Sequence, residues 1–126
     1  MFLNKQHHIA VISSDWEKAR EFYIEKLGFT LEKEFFRPAQ NDYLRMLRQG
    51  DTVIELFVRT DAPQRVNNPE ALGLRHLAFR VEDIEPAVTW LNGMGIETEP
   101  IRDDPYNGGR FTFFKDPDGL PLELHE

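Results

Sequence analysis

Leu74-Arg75-His76-Leu77-Ala78-Phe79 has an echo near the start of the chain, in His8-Ile9-Ala10. Each is a short apolar run carrying one imidazole, and each leads to an aspartate, Asp15 or Asp83, placed to cap a helix. Forty-seven residues beyond His8 stands Glu55, within Val53-Ile54-Glu55-Leu56-Phe57. The same forty-seven residues separate His76 from Glu123, within Pro121-Leu122-Glu123-Leu124. The two pairs are offset by 68 residues, and Ala10 matches Ala78 and Asp15 matches Asp83 at that offset. Self-similarity at a fixed spacing is the mark of a duplicated structural unit.

Working outward, both halves read β-α-β-β-β. In the first, a strand is expected over residues 7–14. A helix follows with the apolar stripe Trp16, Ala19, Phe22, Tyr23 and Leu27, closed by Gly28. Strands are then expected over 29–36, 43–48 and 52–58, with Gly50-Asp51 as the hairpin turn. In the second half the strand is 75–81, and the helix stripe is Ile84, Ala87, Val88, Leu91 and Met94. Pro86 lies in the first turn and Gly95 at the end. Strands are expected over 96–101, 110–114 and 120–124, the last two joined by Asp116-Pro117-Asp118-Gly119. Residues 60–73 lack a sustained period and read as a linker. The fold expected is α+β, one domain over 1–126 made of two tandem βαβββ modules at about 5–59 and 74–126.

Composition removes several functions. A formal charge of −7 disfavours nucleic acid, whose phosphates need a basic surface. With no cysteine there is no thiol nucleophile, disulfide, iron–sulfur cluster or Cys-based zinc site. No apolar run reaches the roughly 18 residues of a membrane span, and the start of the chain does not resemble a secretion signal. A cytoplasmic protein with a small-molecule substrate is expected. Ten phenylalanines and a 40% apolar content suffice for a core.

Strand parity singles out four residues. Ile54 and Leu56 point one way and Glu55 the other; Leu122 and Leu124 bear the same relation to Glu123. An ionised carboxylate turned inward from a sheet costs several kcal/mol unless paired or bound to a metal. His8, Glu55, His76 and Glu123 together make two imidazoles and two carboxylates. That set suits divalent zinc, nickel, cobalt, manganese or iron, with positions left for water or substrate. By contrast, His7 faces opposite to His8 and reads as surface or packing, and His125 reads as flanking or solvated. Trp16 and Trp90 read as helix packing, and Asp103-Asp104 and Glu97/Glu99 as solvated surface.

Taken together, these stretches resemble the vicinal oxygen chelate superfamily, whose paired βαβββ modules build a metal-binding cup, the glyoxalase/bleomycin resistance/dioxygenase fold. Within it they are most similar to glyoxalase I (lactoylglutathione lyase) in its short bacterial form. The likeness is carried by His7-His8-Ile9-Ala10, Phe22-Tyr23 through Leu27-Gly28-Phe29, Val53-Ile54-Glu55-Leu56, Leu74 to Phe79, Asp116-Pro117-Asp118-Gly119 and Leu122-Glu123-Leu124. Methylmalonyl-CoA epimerases, which share the cup, usually carry Gln where Glu55 stands, and the superfamily's extradiol dioxygenases use two His and one Glu.

The resemblance implies one divalent ion held by His8, Glu55, His76 and Glu123, nickel, cobalt or zinc before manganese or iron. It implies a hemithioacetal of a 2-oxoaldehyde such as methylglyoxal, with glutathione or another thiol as co-substrate, isomerised to a 2-hydroxyacyl thioester. Glu123 is the first candidate for the base and Glu55 the second. Arg37, Arg75 and Arg110 are candidates for binding substrate carboxylates, and Tyr106 for covering the site. A homodimer is expected, the two pairs meeting within one chain or across two. Competing readings are another metalloenzyme of the same fold, namely an epimerase, an extradiol dioxygenase or a thiol transferase acting on an antibiotic, and a non-catalytic small-molecule binder.

Overall fold

The alternation around Glu55 and Glu123 becomes strand in both halves of the computed structural model, which describes residues 1–126. The chain divides into two units, Met1–Pro63 and Gln64–Glu126, each with its own four-stranded sheet.

In the first unit β1 (Ile9–Ser13) is followed by α1 (Trp16–Ala19), which runs on as a π-helical segment, Arg20–Lys26. The strands β2 (Thr30–Arg37), β3 (Asp42–Gln49) and β4 (Thr52–Val58) complete it. The sheet order is β1-β4-β3-β2; β1 and β4 are parallel, the other pairs antiparallel. Asp15 caps the helix by accepting from the Lys18 amide at 3.1 Å. An unbroken α-helix was the expectation. The turn is wider instead: Leu27 N–H donates to the carbonyl of Phe22, five residues back, at 2.9 Å. This register buries the adjacent rings of Phe22 and Tyr23 together.

The second unit contains β5 (Leu77–Arg80), α2 (Ile84–Gly93), β6 (Arg102–Asp103), β7 (Arg110–Lys115) and β8 (Pro121–His125), in the order β5-β8-β7-β6. Here β5 and β8 are parallel. Asp83 caps α2 by accepting from the Glu85 amide at 3.2 Å. Gly28 and Gly95 follow their helices at φ +86° and +79°, a conformation costly to any residue with a Cβ.

Each unit has its own core. Ile54, Leu56 and Leu47 are fully buried in the first, and Leu122, Leu91 and Ile84 in the second. Burying each such side chain contributes about 1.5–3 kcal/mol. The apolar neighbours of Glu55 and Glu123 thus fix the parity that turns both carboxylates to the other face.

Two further expectations fail. No strand forms over 96–101; the ladder beside β7 closes only at Arg102–Asp103. Pro100 has no amide to give a ladder. The segment is held instead by Glu99 N–H to the Phe113 carbonyl at 2.9 Å and by the Thr112 hydroxyl donating to the Glu99 carbonyl at 2.6 Å. Trp90, expected to pack, is 48% exposed. Trp16 does pack, with the Arg45 guanidinium 3.9 Å above its ring.

Candidate functional site

The two sheets place their glutamates at the same point. In the first, Glu55 pairs with Ala10 on one side and Met46 on the other; in the second, Glu123 pairs with Ala78 and Phe113. Two residues before each alanine, and so on the same face, come His8 and His76. An alanine beside each carboxylate leaves it room to lean along the sheet toward the imidazole. His8 Nε2 lies 3.3 Å from Glu55 Oε2, and His76 Nε2 lies 2.9 Å from Glu123 Oε2.

These spans fit a metal. Donors lying roughly 2.0–2.2 Å from one divalent ion are about 2.8–3.6 Å from each other in octahedral or tetrahedral geometry. The donors are imidazole nitrogen and carboxylate oxygen, which suit the borderline divalent ions. Each unit alone contributes two of them, and no group of three or more such side chains forms. Glu123 is buried at 9% exposure, whereas Glu55 is half-buried.

Each imidazole's other nitrogen is also engaged, by the residue just before it. His7 Nδ1 is 2.8 Å from His8 Nδ1, and an Arg75 Nη1–H donates to His76 Nδ1 at 3.0 Å. The sequence reading, which took His7 as surface or packing, missed this contact. The 68-residue offset pairs His7 with Arg75 and was the available signal. Phe113 adds an edge-to-face contact to the His76 ring at 5.0 Å.

A cavity of about 650 Å³ lies over the second pair, lined among others by Arg75, Arg102, Phe111, Phe113, Asp104 and His125. His125, two residues beyond Glu123 on the same face, stacks on Phe111 and places Nε2 2.9 Å from Asp104 Oδ2. Asp104 also accepts from the amides of Tyr106 and Asn107, at 2.9 and 3.0 Å. The His125 contact and these amides hold its carboxyl far below the usual range. In turn Asp104 and the Glu126 carbonyl raise the His125 imidazole. Asp104 is therefore the anchor of a loop and not solvated surface. The signal lay in its spacing from Gly108-Gly109, since an Asp opening a Gly-rich turn binds the amides two and three residues on.

On the first sheet the position matching His125 is Phe57. Arg37 and Arg59 lie 4.8 and 5.6 Å from its ring centre, and both guanidinium groups grip Asp42 at 2.7 Å. Asp42 is held below its usual pKa by the Arg37 hydrogen bonds and, against burial, by Arg59.

Of the four expected substrate contacts, Arg75 lines the cavity and is paired with Glu70. Arg37 is committed to Asp42. Tyr106 stands 92% exposed on the loop anchored by Asp104. Arg110 is outside the cavity lining: it donates from Nε and Nη2 to Glu126 at 3.0 and 2.9 Å, with Asp83 and Glu85 beyond. No helix is long and apolar enough to cross a membrane.

Two four-stranded sheets of equal register, each with a His/Glu pair beside an alanine, define a duplicated βαβββ protein. Residues 5–124 match the glyoxalase/bleomycin resistance protein/dioxygenase superfamily, and the chain belongs to it. It is 54% identical to the uncharacterized protein YwkD of Bacillus subtilis (strain 168), over 100% of this chain and 99% of that one. The crystal structure of a glyoxalase family protein from Enterococcus faecalis matches with TM-score 0.94 at 51% identity, covering 100% of both chains. Two relatives are 31% identical. One is a 2-epi-5-epi-valiolone epimerase from an Actinomyces species, over 94% of this chain and 76% of its own length; the other is glutathione transferase FosA of Serratia marcescens, over 98% and 81%.

Proposed function

We propose that this chain is a metal-dependent, cytoplasmic enzyme of the glyoxalase I type, converting the hemithioacetal of a 2-oxoaldehyde and a thiol to a 2-hydroxyacyl thioester. His8, Glu55, His76 and Glu123 would hold one divalent ion, nickel, cobalt or zinc before manganese or iron, the two pairs meeting within one chain or across a homodimer. When bound, the ion would supply a Lewis acid that stabilises the negative charge developing on the substrate as its proton leaves. The observation that carries this reading is the repetition of the His/Glu pair at one register in two separate sheets.

Glu123 is the proposed base. It takes the proton from the substrate carbon that bears it and returns it to the neighbouring carbon. Its burial keeps bulk water from competing for that proton. Phe111 and Phe113 offer an apolar wall to the rest of the substrate. Arg75 serves a substrate carboxylate there, and Tyr106 stands on the loop that covers the site. On the first sheet Arg37 would meet a substrate carboxylate only on leaving Asp42, which now fills its fork. Arg110 is assigned to fixing Glu126 against the start of α2, since its fork is already filled.

The relatives at 31% identity favour a second reading, in which the same four ligands serve an epimerase or a glutathione transfer to an antibiotic. An epimerase also moves a proton at a carbon beside an oxygen, so Glu123 keeps its task. The deciding experiment is turnover of methylglyoxal with glutathione and other thiols, on protein reconstituted separately with nickel, cobalt, zinc, manganese and iron. Thioester formation with one metal–thiol combination is expected. If none is seen with any combination while metal binds, the glyoxalase reading fails and the second stands.

A further inference from the structure

The residue that precedes each ligand histidine touches that histidine's Nδ1, but His7 and Arg75 are not chemically equivalent. An arginine N–H only donates. The Nδ1 of His76, 3.0 Å from Arg75 Nη1, must therefore accept, and a neutral His76 carries its proton on Nε2. That proton points to Glu123 Oε2 at 2.9 Å. An imidazole that grips an ion through Nε2 needs the reverse: a free lone pair on Nε2 and the proton on Nδ1, facing an acceptor. The Arg75 contact and metal ligation by Nε2 of His76 exclude each other.

The first sheet has no such conflict. The ring nitrogens of His7 and His8 are 2.8 Å apart, and His7 can offer its Nδ1 lone pair to a proton on Nδ1 of His8. That is the tautomer which leaves Nε2 of His8 open toward Glu55.

We propose that Arg75 holds His76 in the tautomer that refuses metal and must leave Nδ1 before the second pair can bind an ion, so that Arg75 sets metal affinity while His7 permits binding at His8. The inference rests on the metal reading given above. It makes Arg75 a positioning residue rather than a ligand. Its withdrawal is cheap, because its other partner, Glu70, is as exposed as Arg75 itself, with side-chain exposures of 57% and 62%, and such pairs hold weakly. Once off Nδ1, the guanidinium stays in the cavity wall, where a substrate anion can take it.

Three substitutions separate this from a simple charge effect. Arg75→Gln removes the cation and supplies a carbonyl that can accept from Nδ1–H. Arg75→Met removes the cation and supplies nothing, while Arg75→Lys keeps both cation and donor. Zinc affinity of the metal-free protein, read by chelator competition, is expected to tighten roughly tenfold in Arg75→Gln, less in Arg75→Met and little in Arg75→Lys. Nitrogen-15 spectra of His76 should show the Nε2–H tautomer in the metal-free wild type and a shift toward Nδ1–H in Arg75→Gln. Equal tightening in Gln and Met with an unmoved tautomer would mean that only charge matters, and the proposal falls. A wild-type His76 already protonated on Nδ1 also overturns it. His76→Ala serves as the control: zinc affinity unchanged there sinks the metal reading itself, whereas loss there with no gain in Arg75→Gln sinks only the role of Arg75.

Discussion

Glu55 and Glu123 occupy one register position in two sheets of the same order, yet their surroundings diverge two residues further along each strand. On β4 that position is Phe57, flanked by Arg37 and Arg59, which share Asp42. On β8 it is His125, tied to Asp104 and through it to the loop that carries Tyr106. The first sheet carries a cation–aromatic–carboxylate cluster in which Arg37 and Arg59 share Asp42 beside Phe57. The second has kept a cavity beside Glu123 and joined its walls to a loop. Duplication supplied two equal His/Glu pairs; on the proposed reading, divergence leaves one half to hold the ion and the other to handle substrate.

The largest effect expected from that division is on turnover. Glu123→Gln should lower kcat by about 10²–10⁴ with metal still bound, since a positioned base contributes that much. Glu55→Gln should act mainly through metal content, and activity should recover as the ion is raised. The check is kcat beside metal stoichiometry for both variants. Equal kcat losses at full occupancy would erase the distinction between the halves.

The cores, by contrast, should behave alike. Ile54 and Leu122 are the fully buried neighbours of the two glutamates. Ile54→Ala and Leu122→Ala should each cost about 2–5 kcal/mol in urea unfolding, from lost burial plus the cavity left behind. A value near zero for either would show that the glutamate's parity on that sheet is held by something other than its apolar neighbours.

How far the chain could be read in advance follows the same line. The duplicated strands, caps and His/Glu pairs were legible because parity and the 68-residue offset depend only on local pattern. The missing strand at 96–101 was legible too, in Pro100, but the repeat with the first half outweighed it. Asp104 and His125 were read apart because their contact joins residues 21 positions from one another, and no periodicity links a loop carboxylate to a strand end. Phe57 gave no sign of Arg37, 20 positions before it, for the same reason, whereas Arg59, two positions on, was within local reach. What differs between the halves is long-range, and that is the part a local reading misses.

The loop contact is the next way to sharpen the comparison. Asp104→Asn keeps the shape but removes the charge that His125 and two amides share. Hydrogen exchange at the amides of Tyr106 and Asn107 should speed up severalfold, while amides of β3 and β4 keep their protection. Substrate KM should rise more than kcat falls if the loop covers the site. Unchanged exchange at those two amides would show that Asp104 is not the anchor.

The smallest effect expected is on acid stability, and its sign is fixed by the geometry. Glu126 accepts from the Ile84 amide and from the amide, Nε and Nη2 of Arg110. Arg110 first, then the Ile84 amide, lowers its carboxyl from 4.5 to about 2. A carboxyl lowered in the folded state binds fewer protons there than in the unfolded chain. Its stabilisation is complete above the ordinary value and is lost as pH falls through the folded one. Glu126→Gln should therefore be less stable than wild type at neutral pH, with the gap closing between pH 4.5 and about 2. Glu126 is only partly buried and its partner Arg110 keeps about a third of its side chain in solvent, so screening takes much of the gain and the gap is narrow. Asp42 carries the same sign on the first sheet, through Arg37 and Arg59. Asp42→Asn should give a second, separate gap that closes in acid, because its arginines are not those of Glu126. Urea midpoints across that range test both. A gap for Glu126→Gln that stays constant with pH would mean Arg110 acts there by packing its stem rather than by holding an ionised carboxylate.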